Sequence, residues 1–284
     1  YDASLSIPHF ERLASWGSPY LGAVTGNNAY FTLSKSDAVA AGLPTKDLRP
    51  ISPPGSRHLR GLTISTAAWE SLCREGARAY LFYPSGKNPS AASLRYIKQG
   101  ELDGVDKAYK CRVRSPWWQV PLVETPDLFF TYMNHDRPRL TTNEAGLEIL
   151  NSLYGIKLNA GRKTLGRDLL PVASLNSLTV LGAEVVGRSY GGGLLKHEPR
   201  EADKLPLPSL VTVQAIEDKL RNLRPLLTKA LRGNKIDEAV AMVDKVLLKD
   251  HMGLDDGQIE CLRQARTMLF ERRKTRARGE RGED

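Results

Sequence analysis

Cysteine and histidine are scarce in this chain of 284 residues. Its three cysteines, Cys73, Cys111 and Cys261, lie far apart and form no CxxC pair. An odd, scattered set of this kind argues against a disulfide framework and is typical of a reducing cytoplasm. None of the five histidines stands at zinc-ligand spacing from a cysteine or from another histidine. We therefore predict a cytoplasmic protein without a structural metal.

Long apolar runs are absent as well. No segment approaches the length of a membrane span, and no secretory signal opens the chain. We therefore expect no membrane partner. The first residue is Tyr1 and not methionine, which leads us to expect that the chain is part of a longer polypeptide.

Acidic residues are outnumbered by basic ones. The chain has 41 Lys and Arg against 32 Asp and Glu, a formal net charge of +9 and a pI near 9.5. Its hydrophobic fraction of 41% and charged fraction of 26% are those of a soluble globular protein. A basic excess of this size favours an anionic partner, and nucleic acid is the first candidate.

Short apolar segments separated by turns make up residues 1–208. Apolar stretches predict strands at residues 78–84, 127–133 and 137–143. Helical spacing and capping signals predict helices at residues 36–43, 65–76, 90–100 and 169–187. Ser36 and Ser90 are the predicted N-caps, and Gly100 is predicted to stop its helix. The Gly- and Asn-rich residues 25–28 predict a hairpin turn, and the proline-containing residues 204–210 a linker.

Residues 211–278 contain one proline and a long helical periodicity. Their apolar positions, such as Val240, Val243 and Leu247, fall on one stripe. The last, mixed-charge stretch is expected to fray. The sequence thus predicts an α+β fold, with a mixed-sheet recognition domain and flanking helices at residues 1–208. A small helical C-terminal extension with a frayed basic end is predicted at residues 209–284.

Basic and aromatic residues are interleaved in the segment 107–118. On a strand, Lys110, Arg112 and Arg114 would share one face, because side chains alternate with period two. Three cations on one face suit a track of phosphates, or an arginine that reaches a guanine edge. Trp117 and Trp118 follow directly. The alternative is a solvated strand face over a core filled by tryptophan.

Two further segments carry residue types that bind nucleic acid. The first, "RSYGGGLLKHEP", contains three glycines whose backbone amides could approach an anion, although a flexible turn is the alternative. The second comprises "RPRLTTNEAG" and "LNSLYGI", whose Arg and Asn side chains could read bases or contact phosphates, or could belong to a loop with capping asparagines. The candidate residues of both segments are Arg137, Arg139, Asn143, Asn151, Arg188, Tyr190 and Lys196.

The tetrapeptide Ser52-Pro53-Pro54-Gly55 resembles the catalytic loop of enzymes that methylate amino groups of DNA bases. That loop reads Asp, Asn or Ser, then Pro-Pro, then an aromatic residue whose ring stacks on the extruded base. Gly55 has no ring, and two prolines followed by glycine predict a turn. Arg57 and Arg60 follow and could lie against a phosphate backbone. An unrecognised active site near Ser52 and His58 stays an alternative.

Taken in order, these segments resemble one family. The matching pieces include "GAVTGNNAYFTLS", "SRHLRGLTIS", "YIKQGE", "YKCRVRSPWWQVP", "DLFFTYM", "RPRLTTNEAG", "LNSLYGI" and "RSYGGGLLKHEPRE", and they cover most of residues 16–210. The set, above all "KCRVRSPWW" and "YGGGLLKHEP", resembles the C-terminal half of adenine-specific DNA methyltransferases of restriction–modification systems. The resemblance ends near residue 211.

The resemblance implies a target-recognition domain that closes over double-stranded DNA, while a separate N-terminal domain binds S-adenosylmethionine and flips the adenine. Neither a glycine-rich cofactor loop nor an Asn/Asp-Pro-Pro-aromatic loop is found in this sequence. We therefore expect no cofactor, no catalytic residue and no methyl transfer in this chain alone. The expected DNA-contacting residues are Arg57, Arg60, Lys110, Arg112, Arg114, Trp117, Trp118, Arg137, Arg139, Asn143, Asn151, Arg188, Tyr190 and Lys196.

The expected partners are duplex DNA and a methyltransferase catalytic domain or subunit. The helical extension could in addition recruit a partner such as a nuclease subunit. Two alternatives stay open, a complete enzyme with an active site near Ser52 and His58, and a protein-interaction subunit that docks through its C-terminal helices.

Overall fold

The computed structural model describes residues 8–279, with side chains described up to residue 276. In this part of the chain the strands are β1 (Phe10–Arg12), β2 (Gly17–Leu21), β3 (Thr32–Leu33), β4 (Leu48–Pro50), β5 (Thr63–Ile64), β6 (Tyr80–Phe82), β7 (Leu128–Phe130), β8 (Met133–Asn134), β9 (Leu140–Asn143), β10 (Tyr154–Leu158), β11 (Arg188–Tyr190), β12 (Leu194–Lys196) and β13 (Pro206–Pro208).

The helices of the same part are α1 (Leu13–Trp16), α2 (Asn28–Phe31), α3 (Lys35–Ala40), α4 (Thr66–Arg74), α5 (Ala91–Leu102), α6 (Tyr109–Arg112), α7 (Lys163–Ala173), α8 (Ser177–Val186), α9 (Pro199–Ala202), α10 (Leu210–Ala215), α11 (Glu217–Arg232), α12 (Ile236–Asp244) and α13 (Asp256–Gly279). A π-helical turn, Lys245–Lys249, continues α12. The end that was predicted to fray is helical up to Gly279, and its remainder lies outside the described residues.

A five-stranded mixed sheet in the order β2-β10-β7-β9-β5 forms the centre of the fold. Neighbouring strands are antiparallel except β5 and β9, which are parallel. Three smaller sheets, β1-β13, β11-β12-β8 and β3-β6-β4, surround it. The predicted α+β class with flanking helices is confirmed.

The largest core joins the central sheet to the C-terminal helices. Phe130 and Leu169, from β7 and α7, belong to the same buried cluster as Leu220, Leu227 and Val243 from α11 and α12. The helical extension therefore packs on the sheet domain. The domain boundary after residue 208 stays a prediction.

A second core fills the other side of the N-terminal half. Phe31 and Phe82 are fully buried there, between the sheet β3-β6-β4 and α5. Trp117 and Trp118 pack against this cluster, so the segment that carries them is anchored to it.

One predicted turn and one predicted helix end proved wrong. Residues 25–28 do not connect two strands of a hairpin, because Asn27 accepts a hydrogen bond from the Tyr30 backbone and starts α2. Gly100 does not stop α5. It lies buried inside that helix, where a Cβ would come within 2.7 Å of the Tyr30 ring. Gly104, with φ of 73°, follows the end of α5 instead.

Two other boundaries also differ from the prediction. Ser34, not Ser36, caps α3, because it forms a reciprocal capping box with Asp37. The predicted linker contains β13, whose three residues are buried and pair with β1. Proline is tolerated there because β13 has a partner on one side only.

Within residues 8–279, no single helix is long and apolar enough to cross a membrane. The stretch 160–173 and α8 together meet that criterion by length and composition, but they are bent by 91°.

Candidate nucleic-acid interface

The segment 107–118 is not the predicted strand. It forms the short helix α6, whose Cys111 is fully buried against the loop before α2. Gly26 permits this close approach, since a Cβ there would lie 2.9 Å from the Lys110 Cβ. Because a helix advances about 100° per residue, Lys110 and Arg112 do not share one face in the manner of a strand.

The cations of this segment divide into two groups. Lys110 and Arg112 are exposed and lie 5.4 and 5.5 Å from the centre of the exposed Tyr109 ring. Arg114 turns inward and donates hydrogen bonds to the carbonyls of Val24 and, at 2.8 Å, Thr25. Burial lowers the pKa of Arg114. Lys110 and Arg112 are therefore available to a ligand, while Arg114 holds two parts of the fold together.

The two tryptophans belong to the core and do not form an open stacking surface. Trp117 packs at 5.6 Å from the Tyr30 ring, and its Nε1 donates to Glu101 Oε1 at 3.1 Å. Trp118 meets Trp117 edge to face at 6.0 Å. Trp117 and Trp118 therefore follow the alternative interpretation of this segment, in which tryptophan fills a core.

The glycine-rich segment forms a hairpin between β11 and β12, with Gly192 at a φ of 73°. Its cations are paired with acids: Arg188 with Glu201, and Lys196 with Glu198 at 2.6 Å. The Lys196 ammonium also lies 4.8 Å from the centre of the Tyr190 ring. The pairs reduce the charge that this hairpin presents to an anion.

The remaining candidates near β9 lie in different environments. Arg139 pairs with Asp136 at 3.0 Å, and Asn151 is half-buried. Asn143 is 2% exposed and uses its amide for hydrogen bonds to the backbone of Pro126 and Leu147. We therefore assign Asn143 a folding role, because its amide is used up by the backbone.

Arg137 is 6% exposed and faces a pocket beneath the C-terminal helices. A side chain this deeply buried cannot contact a DNA duplex at the surface.

Ser52 and His58 share a hydrogen bond of 2.7 Å. Ser52 is 1% exposed, and burial lowers the pKa of His58 to about 4. Ser152 Oγ accepts a hydrogen bond from the Gly55 backbone at 3.0 Å. These bonds fix the proline turn, and a serine this deeply buried cannot reach a base. Within residues 8–279, no group of three His, Cys, Asp or Glu side chains is placed to hold a metal ion.

The structure assembles a larger basic site along the edge of the central sheet. Two adjoining cavities of about 470 and 500 Å³ share Thr63, Glu144 and Arg224 as walls. We call them together the basic groove. Its acidic side chains are Glu144 and Asp168. Its basic side chains are Arg60, Lys163, Arg167, Arg224 and Arg232.

The two cations from α7 share one carboxylate. Lys163 and Arg167 stand one helical turn apart, and their nitrogens lie 3.0 and 3.7 Å from Oδ1 of the buried Asp127. Their side chains keep 42% and 36% of their surface exposed. One acid between two partly exposed cations leaves a net positive charge toward the groove.

Helix α11 closes the groove on the other side. Arg224 donates to Thr63 Oγ1 at 3.1 Å and to Asp168 Oδ1 at 3.1 Å, so it connects α11 to β5 and α7. Arg60 and Arg232 are exposed. Because β5 is the last strand of the central sheet, the groove runs along an open sheet edge.

Of the predicted DNA-contacting residues, Arg60 alone lines the basic groove, and His58 of the alternative active site lies beside it. Lys163, Arg167, Arg224 and Arg232 were missed. A signal existed in their spacing: Lys163 and Arg167 are four residues apart, and Arg224 and Arg232 are eight apart, which places each pair on one face of a helix. Nothing in the sequence shows that these two faces lie opposite each other.

The fold and the groove together define an α+β domain with a basic cleft at the edge of its central sheet. The chain belongs to the family described as the C-terminal domain of the type II methyltransferase M.Eco57I, whose model matches residues 3–248. This match confirms the resemblance to the C-terminal half of restriction–modification methyltransferases. It also continues past residue 211, where the resemblance of the motifs ends, and includes α11 and α12.

Two methyltransferases are similar to this chain in sequence. Type II methyltransferase M.AccI of Acinetobacter calcoaceticus is 24% identical over 247 residues, which are 86% of this chain and 45% of that protein. Type II methyltransferase M.XamI of Xanthomonas campestris pv. amaranthicola is 31% identical over 122 residues, which are 42% of this chain and 22% of that protein. The chain thus spans less than half the length of these relatives.

Among solved structures, the type IIG restriction endonuclease BpuSI is similar with a TM-score of 0.47 and 14% sequence identity. The similarity covers 87% of this chain and 32% of that one.

Proposed function

We propose that this chain is the sequence-specific DNA-recognition part of an adenine-specific DNA methyltransferase. In this proposal a separate catalytic domain or subunit binds S-adenosylmethionine and transfers the methyl group. Family membership supports the methyltransferase assignment. The basic groove is the observation that carries the DNA-binding role, because five cations and two acids line one open edge of the sheet. The buried Asp127 behind two of the cations leaves an excess of positive charge.

The groove would contact the DNA backbone. Partly exposed Lys and Arg side chains neutralise phosphates, and such contacts position a protein on DNA without reading its sequence. The hydroxyls of Thr63 and Thr142 also line the groove and belong to a residue type that contacts phosphates and bases. The exposed side chains of Lys110 and Arg112 would supply a further phosphate contact outside the groove.

A salt titration of duplex binding tests this proposal. The double variant Arg60→Gln/Arg232→Gln removes two exposed groove cations for which no ion pair is found within the described residues. If each contacts one phosphate, the slope of log affinity against log salt becomes shallower by about 1.8, since each contact contributes about 0.9. Affinity at low salt falls at the same time.

The matched control is Arg95→Gln/Lys98→Gln, which removes the same charge from the exposed face of α5, outside the groove. We expect its salt slope to equal that of the unchanged chain. Equal losses in both double variants would indicate a diffuse charge effect and no specific groove. Absence of binding to any duplex at low salt would contradict the proposed function itself.

The alternative of a complete enzyme near Ser52 and His58 has two observations in its favour, their hydrogen bond of 2.7 Å and the position of His58 in the wall of the basic groove. The burial of Ser52 favours a folding role for the pair. The alternative of a protein-docking subunit stays a prediction for the C-terminal helices.

A further inference from the structure

A second basic site lies on a different part of the molecule, where α8, α12 and α13 meet the loop between β8 and β9. It is a pocket of about 250 Å³, large compared with the roughly 10–15 Å³ that one water requires. Arg137, Arg263 and Arg266 line it on one side, and Val180, Ile236 and Val240 contribute apolar walls. It shares no residue with the basic groove.

Arg137 is the unusual member of this pocket. The residue is buried, with 6% of its surface exposed. Its one hydrogen bond within residues 8–276 runs from Nη1 to the Pro138 carbonyl at 3.2 Å, and its Nε has no acceptor there. Burial lowers the pKa of Arg137 to about 10. A buried guanidinium without a carboxylate is unfavourable, because desolvation of the charge is not compensated.

Arg266 also lacks a carboxylate partner within residues 8–276, although it is half-buried and its guanidinium lies 4.6 Å from the centre of the Phe270 ring. Its Nε is buried without an acceptor in the described part of the chain, and its Nη2 donates weakly, at 3.3 Å, to the Asp136 carbonyl. Among the neighbouring charges, Asp136 raises the Arg137 pKa, whereas Arg139 and Arg266 lower it. The Asp136 oxygens accept hydrogen bonds from Arg139. Two guanidinium groups therefore border one pocket, and neither forms an ion pair with a carboxylate among the described residues.

The acids around the pocket do not supply that partner. Asp244 is buried, but its oxygens already accept hydrogen bonds from the Ser177 backbone and hydroxyl, both at 2.7 Å, and from Arg263 at 2.9 Å. Asp237 lines the pocket from the first turn of α12, but it is exposed and forms no ion pair with the three arginines among the described residues. Arg263 is thus the paired arginine of the set, and the charges of Arg137 and Arg266 remain.

We propose that this pocket binds a small organic phosphate monoester. A phosphate carries nearly two negative charges, which match the two unpaired guanidinium groups, and its oxygens accept charge-assisted hydrogen bonds from both. The walls formed by Val180, Ile236 and Val240 would contact the organic portion. Bound there, the ligand joins α12 and α13 to the loop before β9. The proposal does not depend on DNA binding.

Titration calorimetry without DNA tests the pocket with three probes, namely inorganic phosphate, phenyl phosphate and phenol, at constant ionic strength balanced with chloride. We expect saturable binding with one site per chain for both phosphates. Phenyl phosphate should bind about tenfold more tightly than inorganic phosphate, because its ring is removed from water against the apolar wall. Phenol should not bind. The same phosphates should raise the melting temperature.

Arg137→Gln should weaken phosphate binding by about tenfold or more, because it removes a charged donor. The variant should also lose the phosphate-dependent rise in melting temperature while staying folded without phosphate. Arg266→Gln should act in the same direction, and Arg272→Gln, on the exposed face of α13, should change nothing.

Lack of saturable binding for both phosphates would overturn the proposal, as would affinities that neither Arg137→Gln nor Arg266→Gln alters. A 5′-phosphorylated duplex that binds through Arg137 where free phenyl phosphate does not would also overturn it, in favour of a DNA end. The calorimetry contains no DNA, so a failure to bind phosphate would not bear on the basic groove. The salt titration of duplex binding tests that proposal separately.

Discussion

The imidazole of His197 lies fully buried between α8 and β12. Its Nε2 donates to the Ala183 carbonyl at 3.0 Å, and burial lowers its pKa to about 4 from the usual 6.5. Between pH 6.5 and about 4, His197 is protonated in the unfolded chain but stays neutral in the folded protein. The free energy of unfolding therefore falls as the pH drops from 6.5 to about 4. For one such group the slope is about 1.4 kcal/mol per pH unit.

Urea unfolding at several pH values in that window measures this slope. We expect His197→Gln to reduce this slope by up to about 1.4 kcal/mol per pH unit, the contribution of one proton. Glutamine does not titrate, and its side-chain amide can still donate to the Ala183 carbonyl. The control is His135→Gln, a substitution at an exposed histidine. His58, whose pKa burial also lowers to about 4, and His251, whose pKa burial lowers too, should keep contributing to the slope. An unchanged slope in His197→Gln would contradict the assignment.

Residue roles were predictable from the sequence where the partner is close in the chain. Ser90 accepts a hydrogen bond from the Ser93 backbone, as predicted for an N-cap. Arg112 and Arg114 look alike in the sequence, yet one is exposed and the other is bound to the carbonyl of Thr25. That difference depends on a contact across 89 residues, which no local pattern contains.

At the scale of elements, one buried ion pair connects α13 to α8. The side chains of Arg273 and Glu184 are 4% and 2% exposed. Arg273 donates to the Glu184 carboxylate from Nη2 at 2.9 Å and from Nε at 3.1 Å. Arg273 also donates to the Gly193 carbonyl in the glycine hairpin. Arg273→Met leaves the Glu184 charge buried and unpaired, so we expect a loss of about 3–5 kcal/mol in the free energy of unfolding.

Urea denaturation of three variants measures this effect. Glu184→Leu combined with Arg273→Met should recover part of the loss, since no charge then remains buried. Arg272→Met, on the exposed face of α13, should change stability by less than about 0.5 kcal/mol. A double variant as unstable as Arg273→Met alone would show that packing around Arg273, and not the unpaired charge, determines the cost.

Elements with strong local signals were predicted, and those that depend on distant pairing were not. Helix α5 begins at its predicted cap, Ser90, and α4 lies within the predicted range of residues 65–76. The predicted helix at residues 169–187 is interrupted after Ala173, where Asn176 caps the new helix α8. Strand β13 was missed because its partner is β1, about two hundred residues earlier, and because prolines in sequence favour a linker.

At the scale of the whole molecule, the net charge of +9 indicated an anionic partner but not the place where it binds. The basic groove draws its cations from residues 60, 163–167 and 224–232. These segments meet only after the central sheet has formed and α7 and α11 have packed beside it. Consecutive motifs in the sequence therefore indicated Arg60 but not the four other cations of the groove.

The shared core leads to a prediction about the C-terminal helices. Leu220, Leu227 and Val243 are buried in the same cluster as Leu169 and Val172. A fragment that ends at residue 208 would expose the apolar faces of α7 and the sheet, and it would lack the Arg224 bonds across the groove. We expect such a fragment to show poorly dispersed amide resonances and to bind a dye specific for exposed apolar surface.

Adding residues 209–284 as a separate fragment should restore the dispersed spectrum, because the missing half of the core is then supplied in trans. Only the complemented pair should bind duplex DNA with the salt dependence of the intact chain, since the basic groove needs α11. If residues 1–208 instead unfold cooperatively on their own, with a well-dispersed spectrum, the sequence-based domain boundary is right. The helices would then be an addition to a recognition domain that is already complete, and the groove would have to bind DNA without Arg224 and Arg232.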